Sequence, residues 1–128
     1  MNGYLAGAAL LASGTAVAHS YLGERYILIR LFRRADLPHL YGSDRFTRQV
    51  LRFAWHLTSI AWVGFGLVLA AAGGVPGLPQ VPADTMLLRY VSLTFALTAA
   101  VTFMGSRGRH FAWVVFLAIA IGAWVGAR

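Results

Sequence analysis

Apolar residues fill four long blocks of this chain: Gly3 to Leu22, Phe53 to Ala72, Met86 to Met104 (broken once, by Arg89) and Phe111 to Ala127. Each approaches the roughly 20 mostly apolar residues that a helix needs to cross hydrocarbon, the last falling a little short. Polar or turn-rich stretches separate them, over 23–52, 73–85 and 105–110. The pattern predicts an all-α polytopic membrane protein. A single domain over 1–128 would hold four transmembrane helices in an antiparallel bundle.

Local signals refine the boundaries. Asp84 follows Pro82 and precedes the third block, which suits an N-cap. Ser43 or Asp44 is placed to cap the second helix, which then starts well before the membrane. Its extension, DRFTRQVLRF, sets Arg45, Arg48 and Arg52 along one stripe at helical spacing. The first helix either runs on through ERYILIRLFRR or gives way there to an amphipathic interfacial segment, and Leu37-Pro38 ends it. Proline and glycine make GGVPGLPQVPAD a tight connector.

Composition agrees. The chain is 59% hydrophobic and 12% charged, whereas soluble domains are about a quarter charged. Cysteine is absent, which excludes disulfides, thiolate metal sites and cysteine nucleophiles. The basic residues are all arginine, giving a net charge of +7. With no soluble domain to use that charge, nucleic acid is not the expected partner; anionic headgroups are. Arg25, Arg30, Arg33, Arg34, Arg45, Arg48 and Arg52 lie in the first connector, Arg107 and Arg109 in the third, and none lies in the second. The positive-inside rule then puts residues 23–52 in the cytoplasm and both termini outside a cell inner membrane. Arg89 and Arg128 fall near outer helix ends, from which they reach the headgroups. Ala16-Val17-Ala18 has the small residues of a signal-peptide cleavage site, but no positive segment precedes the apolar run, so cleavage is not expected.

Lipid tails do not drive helices together, so small and polar residues must. Gly3 with Gly7 and Gly122 with Gly126 form GxxxG pairs. Thr94, Thr98 and Thr102 form a stripe able to bond its own backbone or a neighbour. The triplet FAW occurs at 53–55 and 111–113, and we read it as an aromatic belt residue placed twice at one interface.

The candidate chemistry rests on histidines. At 1.5 Å per residue, His19 and His56 each lie roughly 10 Å from the middle of their spans and His110 roughly 13 Å, all toward the arginine-rich side. Intramembrane ionisable groups need a partner or water. One use is axial ligation of haem b by His19 and His56, with Arg52 on a propionate. A second is a metal or proton relay through His19, His56 and His110, with Glu24 nearby. A third is a quinone or headgroup pocket. The plainest reading is a polar cluster of Glu24, Arg48, Arg52 and Ser59 that bonds neighbouring helices. Glu24 pairs in that reading with Arg48 or Arg52, and like charge on Arg52 predicts a neutral His56.

No phosphate-binding loop, dinucleotide fingerprint, HExxH or paired intramembrane carboxylates occur, so enzymatic activity is not expected. The segments AHSYLGER (18–25) and LRFAWHLTSIAW (51–62) resemble those of small four-helix inner-membrane proteins of bacteria. That resemblance covers about the first half of the chain. It implies the same topology, draws attention to His19, Glu24, Arg52 and His56, and carries no activity with it. The leading expectation is a non-enzymatic accessory, assembly or oligomeric subunit that requires no cofactor and contacts lipid, a larger membrane complex or copies of itself. A b-type haem electron carrier and an oligomeric proton or metal permease are the alternatives.

Overall fold

The computed structural model describes residues 1–82 and 84–128. It is helical, with no strand among the described residues and one isolated bridge, Leu40 to Ser43. The first helix runs from Gly3 to Leu31, changing from α to π geometry over Gly23–Leu28. The second covers Arg45–Ala72, the third Thr85–Ser106 and the fourth Ala112–Gly126. The first three are long and apolar enough to cross a membrane. The fourth has 15 residues, about 22 Å at 1.5 Å per residue, against a hydrocarbon core of about 30 Å. It is shorter than the block 111–127 suggested.

The helix ends follow from the residues that flank them. The Asp84 carboxylate accepts from the amides of Met86 and Leu87 at 2.7 and 3.0 Å, the expected N-cap. The Asp44 carbonyl receives the first helical bond of the second helix, from the Arg48 amide at 3.0 Å. Its carboxylate turns instead to the Arg48 guanidinium. Asn2 was not singled out by its sequence, yet it caps the first helix through bonds from the Tyr4 and Leu5 amides. Its own amide also donates to the Gly73 carbonyl at 2.8 Å, and its side chain to the Gly126 carbonyl at 3.0 Å. One residue, through its backbone amide and its side chain, thereby joins three helix ends.

The chain divides into two compact units, one of residues 14–62 and one of residues 1–13 with 63–128. In the second of these, Leu5, Leu69, Leu88, Phe95 and Ile119 are the largest fully buried side chains. Phe95 lies 5.6 Å from Phe65 and 6.2 Å from Phe116, centroid to centroid. Ser92 is buried and donates to the Ala120 carbonyl at 2.8 Å, which ties the third helix to the fourth. Arg89 is not a bare charge at a helix end, since its guanidinium lies 5.3 Å from the Trp124 ring centroid. Thr94 and Thr98 bond back to the carbonyls of Tyr90 and Thr94, so on these two the stripe serves its own helix. Large apolar side chains point outward as well, among them Leu10 at 75% exposure and Val101 at 65%.

The two glycine pairs differ in use. A Cβ on Gly122 would lie 3.1 Å from both the Ala8 Cβ and the Tyr4 carbonyl oxygen, and one on Gly126 would meet the Leu5 side chain. Gly3 and Gly7 face open space. Close approach of the fourth helix to the first half of helix one therefore rests on Gly122 and Gly126. Gly122→Leu is expected to cost about 1–3 kcal/mol by overpacking. Gly7→Leu is expected to stay within about 0.5 kcal/mol of the wild type. Thermal unfolding of the two variants in detergent checks the contrast.

Candidate functional site: an imidazole–hydroxyl cluster

The 14–62 unit gathers most of the chemistry. Here the first helix carries His19, Ser20, Gly23 and Glu24, and the second carries Arg52, Trp55, His56, Ser59 and Trp62. His56 and Ser59, three residues apart, share a face, and so do Ser20 and Glu24, four apart. These faces meet. Ser20 Oγ lies 2.8 Å from His56 Nδ1 and 2.8 Å from Ser59 Oγ. Ser59 Oγ lies 3.0 Å from His19 Nδ1. Beyond His56, its Nε2 lies 3.4 Å from Glu24 Oε2. Arg52 then grips the same carboxylate, through Nε at 3.2 Å and a terminal nitrogen at 2.9 Å. The result is a continuous polar chain from Arg52 to His19.

Two tryptophans shape its far end. The His19 ring stacks on Trp55, with centroids 4.6 Å apart and planes 5° from parallel. Trp62 meets it edge-on at 4.9 Å. Trp55 Nε1 donates to the His19 backbone carbonyl at 3.0 Å. In an α-helix that carbonyl would accept from the amide four residues on, which belongs to Gly23. Gly23 is where the π segment begins. The indole bond thus falls on the turn just before the widened one. Gly23 also makes room for the indole, because a Cβ there would fall inside the Trp55 ring. Trp55 is thus part of the cluster.

The expected site residues separate into groups. His19, His56, Glu24, Arg52 and Ser59 come together, while Ser20, Trp55 and Trp62 join them without having been chosen as site residues. Glu24 takes Arg52, and Arg48 takes Asp44 and the Arg34 carbonyl instead. His110 Nδ1 accepts from the Ala112 amide at 3.3 Å, a capping role at the fourth helix. Among the described residues no three His, Asp or Glu side chains form a group able to hold a metal ion. Axial haem ligation draws no support from the His19–His56 geometry, because two hydroxyls join the rings and His56 Nε2 faces a carboxylate. The signal for Ser20 was present: His-Ser at 19–20 answers His and Ser at 56 and 59. Nothing in the sequence announced the rotation that makes the two pairs meet.

A groove of about 600 Å³ runs along the outer face of the second helix, lined by Arg45, Arg48, Arg52, His56, Leu57 and Ile60 among others. Arginines border one end and apolar side chains the other. The connector beside it folds back on itself. Tyr41 and Gly42, both with positive φ, turn the chain between Leu40 and Ser43. Thr47 Oγ1 donates to the Pro38 carbonyl at 2.7 Å. Phe32 receives the Arg52 guanidinium 5.0 Å above its ring.

In that connector Arg34 Nε donates to Asp36 at 2.8 Å and holds its carboxyl down from the ordinary 3.8 to about 2. Hydrogen bonding to Arg48 likewise lowers Asp44. The folded form of each binds its proton less readily than the unfolded chain. Their contribution to stability is therefore present above the ordinary carboxylate value and fades below it, for Asp36 between pH 3.8 and about 2.

The chain matches no protein-family model, no curated protein and no solved structure.

Carboxyl-carbon NMR on the full chain in micelles should show Asp36 titrating near pH 2, and Arg34→Gln should return it toward the ordinary value. Gly23→Ala should push the Trp55 indole out of place and cost about 1–3 kcal/mol. A lower unfolding midpoint together with a changed tryptophan emission is the expected readout.

Proposed function

We propose that this chain is a small integral protein of the cell inner membrane that acts as a non-enzymatic accessory or oligomeric subunit. Its helices form an antiparallel four-span bundle, with residues 23–52 cytoplasmic and both termini outside. The supporting observation is the contrast between surface and polar interior. Large apolar side chains such as Leu10, Val17, Ile60, Leu97 and Val101 are exposed, whereas His19, Ser20, His56 and Ser59 bond to one another. A chain in water would do the reverse. In lipid, outward apolar faces are solvated, and each hydroxyl or imidazole must find a partner.

The arginine stripe supports the orientation. Arg45, Arg48 and Arg52 border the groove at the level expected for headgroups, and Phe53, Leu57 and Ile60 continue it along the acyl region. That order of chemistry suits the phosphate and tail of an anionic lipid. The short fourth helix crosses with local thinning of the bilayer, or with its flanks completing the span. The cluster holds the first and second helices together at the inner leaflet. Interhelical polar contacts of this kind average about 0.6 kcal/mol each.

The absence of cysteine makes topology simple to test. Val81→Cys should react with a membrane-impermeant maleimide in intact cells, and Arg33→Cys only after lysis. Both should stay in carbonate-washed membranes. Reversed labelling, or release by carbonate, would overturn the topology. Native mass spectrometry from mild detergent should show the chain with a partner or with copies of itself, and a lone monomer would overturn the subunit reading.

A further inference from the structure

The hydroxyl chain imposes a hydrogen count. Three links join His56 Nδ1 to His19 Nδ1, by way of Ser20 and Ser59. Each link needs one hydrogen. The two hydroxyls supply two, so the third comes from a ring nitrogen. One of the two imidazoles therefore carries Nδ1–H and the other does not. If both did, two hydrogens would crowd one link; if neither did, one link would lack its hydrogen. The chain has two orientations of equal length that differ in which ring holds the proton.

We propose that His56–Ser20–Ser59–His19 is a proton relay, going beyond the helix-holding role given to this cluster above and resting on its placement in the membrane. The transfer balances without any further reactant. Starting from a His56 imidazolium, its Nδ1–H bond breaks as the Ser20 oxygen gains that proton. Ser20 passes its own hydroxyl proton to Ser59, and Ser59 passes its own to His19 Nδ1. Both serines end as neutral hydroxyls, pointing the other way. One positive charge has moved from the His56 ring to the His19 ring.

Both end states have a stabilising neighbour. On His56 the charge faces the Glu24 carboxylate, itself held by Arg52, so a proton on Nε2 always has an acceptor. On His19 the charge lies against the face of Trp55, with Trp62 at its edge, and an indole face attracts a cation. The charged groups around this path are Glu24 from the first helix and Arg52 from the second. Arg48 and Asp44 pair with each other at the groove's outer end. His56 lines that groove, whose other end is bordered by Arg45 and Arg48, so its end of the relay opens toward the arginine-rich side. Protons exchange with the cytoplasmic side through His56 and Glu24 and pass across the helix pair to His19.

The test uses the full chain with ¹⁵N-histidine in lipid bicelles. In the wild type, over the pH range where at most one of the two rings is an imidazolium, the Nδ1 protonation of His19 and that of His56 should be complementary, one falling as the other rises. Ser59→Ala and Ser20→Ala should abolish this complementarity and leave each ring titrating alone, whereas Ser59→Thr, which keeps the hydroxyl, should retain it. Independent titration in the wild type would overturn the relay, and that measurement stands even if a variant does not fold. Complementarity surviving in Ser59→Ala would also overturn it, because coupling through space alone needs no hydroxyl. Either failure with the cysteine labelling pattern intact removes the relay and leaves the topology standing; failure of the labelling removes the membrane reading itself.

Discussion

The bonds made by Ser20 and Ser59 are the interaction on which the rest of the 14–62 unit depends. Each hydroxyl donates once and accepts once, and so each can stand between two other polar groups with its hydrogen partnered. Removing one would leave an imidazole nitrogen facing apolar carbon, at the cost of a buried unmade hydrogen bond, about 1–3 kcal/mol. Among the described residues no fully buried side-chain nitrogen or oxygen lacks a partner. That completeness lets two histidines sit within largely apolar helices.

Trp55 couples this network to the backbone. Its indole fills the space that Gly23 leaves, stacks on His19 and takes the His19 carbonyl. The first helix widens into a π turn at the same point. Glu24 lies in that turn and reaches both Arg52 and His56. Positioning of the acid thus follows from packing at a glycine one residue earlier.

The unit of residues 1–13 and 63–128 is held by different means. Small residues bring backbones close at Gly122 and Gly126, three phenylalanines fill the middle, and Asn2 and Ser92 each use a backbone carbonyl as partner. Here polar groups satisfy backbone and aromatic rings supply area, with no chain of side-chain bonds among the described residues. Chemistry and packing are in this way separated along the sequence.

The sequence by itself determined where helices form and that three of them have the length and apolar character to cross a membrane, because both properties depend on length and composition alone. It located the Asp84 cap and the arginine stripe, both of which follow from spacing along a single helix. The choice of partner for each side chain was left to the tertiary structure: Glu24 with Arg52 rather than Arg48, Trp55 against His19 and Gly23, and Gly122 in close contact while Gly7 faces open space. Those outcomes depend on how each helix is rotated about its axis. A helix that is apolar on nearly every face does not encode that rotation in its own pattern; contact with the neighbouring helix decides it.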